Sequence, residues 1–272
     1  MKRMICSLLA MVCAISLCGC FGPRVPAPTM PPVTEAPTVP SETTVPTEPP
    51  EATVPPETTE PTKPEHSELY IPGLAVEDVI RYFNEVCLDA EFANGGDCTL
   101  LQKWDAPIAY CLYGDYTEED YATMMRFFGW LNEVEGFPGI QATDLPYAVD
   151  LSIHFCSQEE MVNILGNNFY GMDGGVTFWY NGDNRIYDAT ICYRTEIDQQ
   201  LRNSVILEEI YNGLGPVQDT ALREDSIIYS EFSQPQALTE IDELIMRLLY
   251  HPDMKCGMTA EECETVIRQL YY

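Results

Sequence analysis

The stretch from Val205 to Tyr229, V-I-L-E-E-I-Y-N-G-L-G-P-V-Q-D-T-A-L-R-E-D-S-I-I-Y, gathers the side chains best spaced for chemistry. Glu208 and Asn212 are one helical turn apart and project from one face, with Glu209 beside them and Gln218 further along the chain. Neighbouring helical positions diverge by about 100°, so Glu208 and Glu209 cannot be the facing acid pair of glycoside hydrolysis. Glu208, Asn212 and Gln218 offer oxygen donors only. Zinc prefers nitrogen and sulfur, and for a hard ion such as calcium one carboxylate with two neutral carbonyls is a weak cage. A second set is His154 and Cys156, two apart on an alternating stretch and therefore on one strand face, with Cys192 on a later strand. Zinc ligation or a Cys/His nucleophile would use these three; a disulfide or buried thiols is the simpler use in an exported chain. His251, before Pro252, fits a helix C-terminus, where the dipole favours it, and His66 lies in a low-complexity stretch.

The elements that must position these residues are legible as periodicities. Val76 to Phe92 reads as a helix with Val76, Val79, Ile80, Phe83 and Val86 or Cys87 on one face, ended by Asn94-Gly95-Gly96. A strand is expected over Ile108 to Tyr113. A capped helix then begins at Thr117, with Tyr121, Met124, Met125, Phe128 and Leu131 as its buried stripe. Ala148 to Phe155 alternates as a half-covered strand, and Val176 to Tyr180 with Arg185 to Tyr193 flank Asn181-Gly182-Asp183-Asn184 as a hairpin. Phe178, Trp179, Tyr180, Tyr187 and Tyr193 enrich this hairpin in aromatics, for which core or cross-strand packing is the first expectation. Asp173-Gly174-Gly175 has too few acids for a calcium loop. The helix Ile197 to Gly213 follows, then helices over Leu238 to Tyr250 and Thr259 to Leu270, with acids at Asp242 and Glu262 completing capping boxes. The order predicts an α+β fold, a mixed twisted sheet with packed helices.

Two resemblances attach to the central stretch. The motif H-E-x-x-H-x-x-G-x-x-H places two imidazoles on one helix face, a glutamate base beside them, and a third imidazole after a turn glycine. Aligned to it, Glu208 stands at the first histidine, Glu209 at the base, Asn212 at the second histidine, Gly215 at the glycine and Gln218 at the third histidine. Ser226, Ile228 and Tyr229 resemble the following Met-turn S-x-M-Y, with isoleucine replacing methionine. Leu238-Thr239-x-x-Asp242 through Leu249-Tyr250 resembles the helix after that turn. This resemblance implies a metzincin-like scaffold of the matrixin type whose zinc ligands are absent. Leu207-Glu208-Glu209, Leu214-Gly215, Asp219, Asp225-Ser226-Ile227, Asp242, Leu248-Leu249-Tyr250 and Gly257-Met258-Thr259 are similar to a bacterial domain-of-unknown-function family described mostly as lipoproteins. It implies the fold and an envelope location, and it brings no activity. Asn212, Pro216 and Gln218 depart from that family's E-E-x-x-Q and L-G-L pattern.

The N-terminal segment sets the compartment. Lys2 and Arg3, an apolar run from Met4 to Leu17, and Leu17-Cys18-Gly19-Cys20 are the parts of a secretory signal. The last four resemble a lipobox, which implies a signal peptide over 1–19 and a lipid on Cys20. The apolar run is shorter than the ~20 residues a spanning helix needs. Fourteen of 21 prolines fall between Phe21 and Ser67, so 20–67 reads as a disordered Pro/Thr/Glu tether able to extend on the order of 100 Å at ~3.1 Å per residue. Residues 68–272 read as one domain. Seven of the 43 acids and four of the 14 bases precede it, leaving it 36 acids and 10 bases, a formal charge of −26. Such a field repels phosphate backbones, which excludes nucleic acid as a partner. Seven cysteines follow Cys20, an odd number that leaves at least one thiol unpaired, and no CxxC pair exists.

The expectation is therefore a lipoprotein held at the extracytoplasmic face of a bacterial membrane through Cys20. Its domain is read as an inactive metallopeptidase-like binding or assembly module for a peptide or cell-envelope ligand. No catalytic residue, metal or cofactor is assigned. The alternative is an envelope hydrolase, metal-dependent with non-standard ligands or cysteine-based.

Overall fold

A computed structural model describes residues 67–88, 100–231 and 233–272. The stretches expected as signal peptide (1–19) and tether (20–67, all but Ser67), with Cys20 and His66, and also Cys98 and the expected stop at Asn94-Gly95-Gly96, lie outside the described residues. No helix among the described residues is long and apolar enough to cross a membrane.

Five strands make one sheet in the order β2-β1-β3-β5-β4. β1 (Ile108–Gly114) pairs in parallel with β2 (Ile140–Ala142) and β3 (Leu151–Cys156), and β3 pairs in parallel with β5 (Ile186–Arg194). β4 (Gly174–Tyr180) is antiparallel to β5 and occupies the edge. The β4–β5 hairpin turns where expected. The Asn181 side chain accepts from the backbone N–H groups of Asp183 and Arg185, and Asn184 takes a φ of 60°, which asparagine tolerates. The sheet carries a core dominated by Ile108, Ile153, Phe155, Ile191 and Tyr193 on the face that meets α2 (Glu118–Leu131) and α4 (Gln199–Gly213). α1 (Val76–Leu88), α5 (Glu240–Tyr250) and α6 (Ala260–Leu270) complete that core through Phe83, Ile245, Leu249 and Ile267. The mixed sheet with packed helices is the class the periodicities predict.

Two elements were not legible. β2 is only three residues long, too short to display a period, and α3 (Gln158–Leu165) lacks a full apolar stripe. α3 nevertheless starts with a capping box, Ser157 with Glu160, which was a usable signal. It covers one end of the sheet's other face over a small cluster of Cys156, Met161, Phe169 and Cys192.

The expected stripe of α2 is buried at Met124, Phe128 and Leu131 and half-buried at Met125, and it differs at Tyr121. Tyr121 is 44% exposed, whereas Asp120, Thr123, Met124, Phe127, Phe128 and Leu131 are buried. At the start of the helix it is Asp120, held by an ion pair, and not Tyr121 that faces inward. Arg202 Nε on α4 donates to Asp120 Oδ1 at 2.8 Å, with both side chains nearly solvent-free. The remaining Arg202 N–H groups reach Thr195 O, Ile197 O and Gln199 Oε1, so one guanidinium holds α2, the β5–α4 connection and the first turn of α4 together. Burial works to raise the Asp120 carboxyl, but hydrogen bonds from Arg202, the Thr117 backbone, Gln199 and the Thr117 hydroxyl outweigh it and leave it below the ordinary Asp range.

Removing Arg202 leaves a buried carboxylate uncompensated. Arg202→Met is expected to lower unfolding free energy by about 3–5 kcal/mol in urea denaturation. Because the folded pKa of Asp120 lies below the unfolded value, its stabilisation is present above pH ~3.9 and is lost as pH falls through the folded pKa. The drop in stability between pH 5 and pH 3 should be shallower in Asp120→Asn.

Candidate functional site

α4 begins at Asp198, whose carboxylate accepts from the Leu201 N–H, and ends where three partners take over its last carbonyls. Trp104 Nε1 donates to Gly213 O at 2.9 Å and the Tyr250 hydroxyl to Leu214 O at 2.7 Å, while Gly215 N–H returns to Asn212 O. Gly215 has φ +133°, and a Cβ there would lie 2.9 Å from both Gln102 O and Leu249 Cδ2. Glycine is thus required for the chain to leave the helix towards α1. There the N–H groups of Val217 and Gln218 donate to Val86 O at 2.7 and 3.3 Å.

The candidate residues sort along this path. Glu208 and Asn212 share one face of α4 and are half-buried. Glu209 is buried at 9% exposure, its side chain against the start of β4, where a Cβ on Gly174 would meet Val205 Cγ1 at 2.3 Å and Glu209 Cγ at 3.0 Å. Asp173-Gly174-Gly175 therefore owes its first glycine to the close approach of α4, and Asp173 pairs with Arg194 at 3.4 Å. The Asn212 Oδ1 is buried without a hydrogen-bond partner among the described residues. Gln218 stands beyond α4, tied through its backbone to α1 rather than to the helix that carries the other three.

The turn after α4 is built around one carboxylate. Asp242 is fully buried at the third position of α5. Its Oδ2 accepts from the Thr239 N–H at 2.9 Å and the Thr239 hydroxyl at 2.8 Å. Its Oδ1 accepts from the Ser226 hydroxyl at 2.7 Å, and Ile227 N–H reaches both oxygens. Ser226 Oγ in turn accepts from the Tyr82 hydroxyl on α1 at 2.8 Å and from Ile228 N–H at 3.2 Å. Ser226, Ile228 and Tyr229 are thus brought into one turn, with Ile228 buried under it and Tyr229 half-buried. Thr220 N–H donates to Ile228 O at 3.0 Å and Ser230 N–H to Thr220 O, tying the turn back to the segment leaving α4. Burial pushes Asp242 above the ordinary carboxylate range against its hydrogen bonds, and burial likewise raises the Tyr82 hydroxyl, which stays a proton donor.

His154, Cys156 and Cys192 do come together. His154 and Cys192 are register partners on β3 and β5, but the imidazole stacks on Tyr113 at 4.6 Å between ring centroids, and its pKa is lowered by burial. Cys156 and Cys192 hydrogen-bond to each other under α3; this contact holds Cys156 below and Cys192 above the usual thiol range. Among the described residues no three His, Cys, Asp or Glu side chains are grouped to hold a metal ion. His251 is the C-cap of α5, its N–H on Leu248 O. The hairpin aromatics divide between faces: Phe178 and Tyr193 are buried, while Trp179, Tyr180 and Tyr187 are exposed.

A family profile matches residues 76–269, from the start of α1 to the last turn of α6, with the whole sheet and the Asp242 turn between them. The chain belongs to the DUF2927 family of proteins of unknown function. No curated protein matches it. Within this DUF2927 domain Ser226 and Ile227 are tied to Asp242 by a hydroxyl and a backbone N–H.

Ser226→Ala removes the acceptor of the Tyr82 hydroxyl and the shortest of the bonds to Asp242 Oδ1, and urea denaturation should report a loss of about 1–3 kcal/mol. Asp242→Ala removes the α5 cap and the turn anchor together and should cost about 3 kcal/mol or more. Tyr82→Phe removes one donor at the end of the chain and should cost least of the three.

Proposed function

We propose that this domain is a catalytically inactive, metzincin-like module that binds an extended peptide or cell-envelope ligand, and that it is held at the extracytoplasmic membrane face by a lipid on Cys20. The observation that carries the reading is the pairing of an intact frame with an altered site. The frame is the helix α4, the turn glycine Gly215, and the Ser226-Ile227-Ile228-Tyr229 turn anchored by Asp242. At the positions that zinc ligands take in that motif stand Glu208, Asn212 and Gln218, which supply only oxygens, two of them neutral. The residues do not fit zinc. The partnerless Asn212 Oδ1 adds one neutral acceptor, far short of the charged oxygen cage a hard ion requires.

A binding role is supported by β4, which among the described residues is an edge strand paired with β5 alone, with Trp179 and Tyr180 exposed at its end. An extended peptide can add to such an edge by main-chain hydrogen bonds, and the domain's charge of −26 favours a cationic one. The hydrolase alternative has no comparable support: Glu209 would be the base of a metal site whose other residues are unsuited to zinc, and Cys156 faces Cys192 rather than His154.

Incubation of the purified protein with unfolded polypeptide and added zinc should give no cleavage. Cleavage that disappears in Glu209→Gln would overturn the inactive reading. A lysine-rich extended peptide should shift β4 backbone amide resonances and leave β2 untouched. The anchor is tested by Cys20→Ala, which should move the protein from the membrane fraction to the medium; continued membrane association would refute it.

A further inference from the structure

The 10 basic residues of positions 68–272 are outnumbered more than threefold by acids, yet three of them, Lys103, Arg185 and Lys255, line one cavity of about 590 Å³. It lies between the β4–β5 turn and the α5–α6 connection, away from α4's Glu208 and Glu209, and only two acids, Asp105 and Asp183, share its wall. We propose that this cavity binds a small organic anion through a carboxylate or phosphate group. The inference is independent of the peptidase-like reading.

Three observations carry it. The volume is that of a small-ligand site. Its wall combines cations with buried apolar surface from Trp104, Tyr250 and Met254, the mixture that accepts a charged head and a compact body. Among the described residues the deepest cation has no counter-ion. Lys103 is 6% exposed and, among those residues, its ammonium donates to the carbonyls of Leu249 (2.8 Å) and Met254 (2.6 Å) alone, with the Tyr250 ring 5.4 Å away. Among the described residues no carboxylate lies within ion-pair distance of it. Capping the C-terminus of α5 accounts for the Leu249 contact, but it does not account for Arg185 and Lys255 arriving from two other segments. Arg185 spends its Nε on Asp105 at 3.0 Å and remains half-exposed, and Lys255 donates to Pro252 O. Such forks and ammonium groups are the usual partners of phosphate and carboxylate oxygens.

Burial lowers the Lys103 amine to about 8, offset in part by Cys256; Lys255 lowers it further, and Asp105 and Cys263 act to raise it. His251 also lines the cavity. A bound anion stabilises the protonated amine, so affinity for an anion that is itself fully ionised must fall as pH rises through that region.

Titration calorimetry of the full chain with inorganic phosphate and, separately, with succinate at low salt is the test. Saturable one-to-one binding of at least one probe is expected. It should weaken about tenfold in Arg185→Gln/Lys255→Gln, which leaves the buried Lys103 in place, and stay unchanged in Arg81→Gln on α1, which does not line the cavity. Tighter phosphate binding would assign a phosphate ligand, and tighter succinate binding a carboxylate. Succinate should bind more weakly at pH 9.5 than at pH 7, and Lys103→Met should lose both the binding and that pH dependence while thermal unfolding confirms its fold. Absence of saturable binding by either probe, or affinity unchanged in the double variant, would overturn the site.

Discussion

The buried carboxylate of Asp242 is the constraint on which the C-terminal half depends. It caps α5 through Thr239, fixes the 226–228 turn through Ser226 and Ile227, and reaches α1 through the Ser226–Tyr82 relay. A carboxylate with no solvent exposure is costly to bury, and its cost is offset only because every donor around it is aimed inward. The same arrangement makes the turn an all-or-none feature: without the carboxylate, one helix cap, two backbone N–H groups and two hydroxyls lose their acceptor together.

A second ionic anchor does for the first half what Asp242 does for the second. Arg202 and Asp120 join α4 to α2 at the end of the sheet where β5 hands over to α4. At the other end of α4, Trp104 and Tyr250 close its last carbonyls, and Gly215 sends the chain to Val86 on α1. The helix carrying Glu208, Glu209 and Asn212 is therefore fixed at both ends by polar contacts rather than by a simple apolar stripe. That explains why it is buried almost all round.

Much of this was legible because local rules and tertiary demands agree. Thr117, Thr239 and Thr259 mark three helix starts, each with its acid three residues on, and Asn181 to Asn184 mark the hairpin. Where they disagree, the sequence misleads: Tyr121 starts an apolar stripe whose Met124, Phe128 and Leu131 are buried, but at that first turn the buried side chain is Asp120, paired with Arg202. β2 is too short to have a period, and the orientation of Asp242 towards Ser226 rather than solvent depends on contacts sixteen residues apart. The cavity around Lys103 was illegible for the same reason, since its cations come from segments far apart in the chain.

Together these contacts describe a framework maintained at some energetic cost around a helix face whose side chains are acids and amides. In the proposed reading the framework outlived the metal chemistry and now presents an edge strand for binding. The most direct measurement is the metal content of the purified protein, determined by elemental analysis before and after chelator treatment and compared with its Glu208→Ala variant. The account predicts substoichiometric zinc that does not change with the substitution. One zinc per chain that is lost in Glu208→Ala would contradict it.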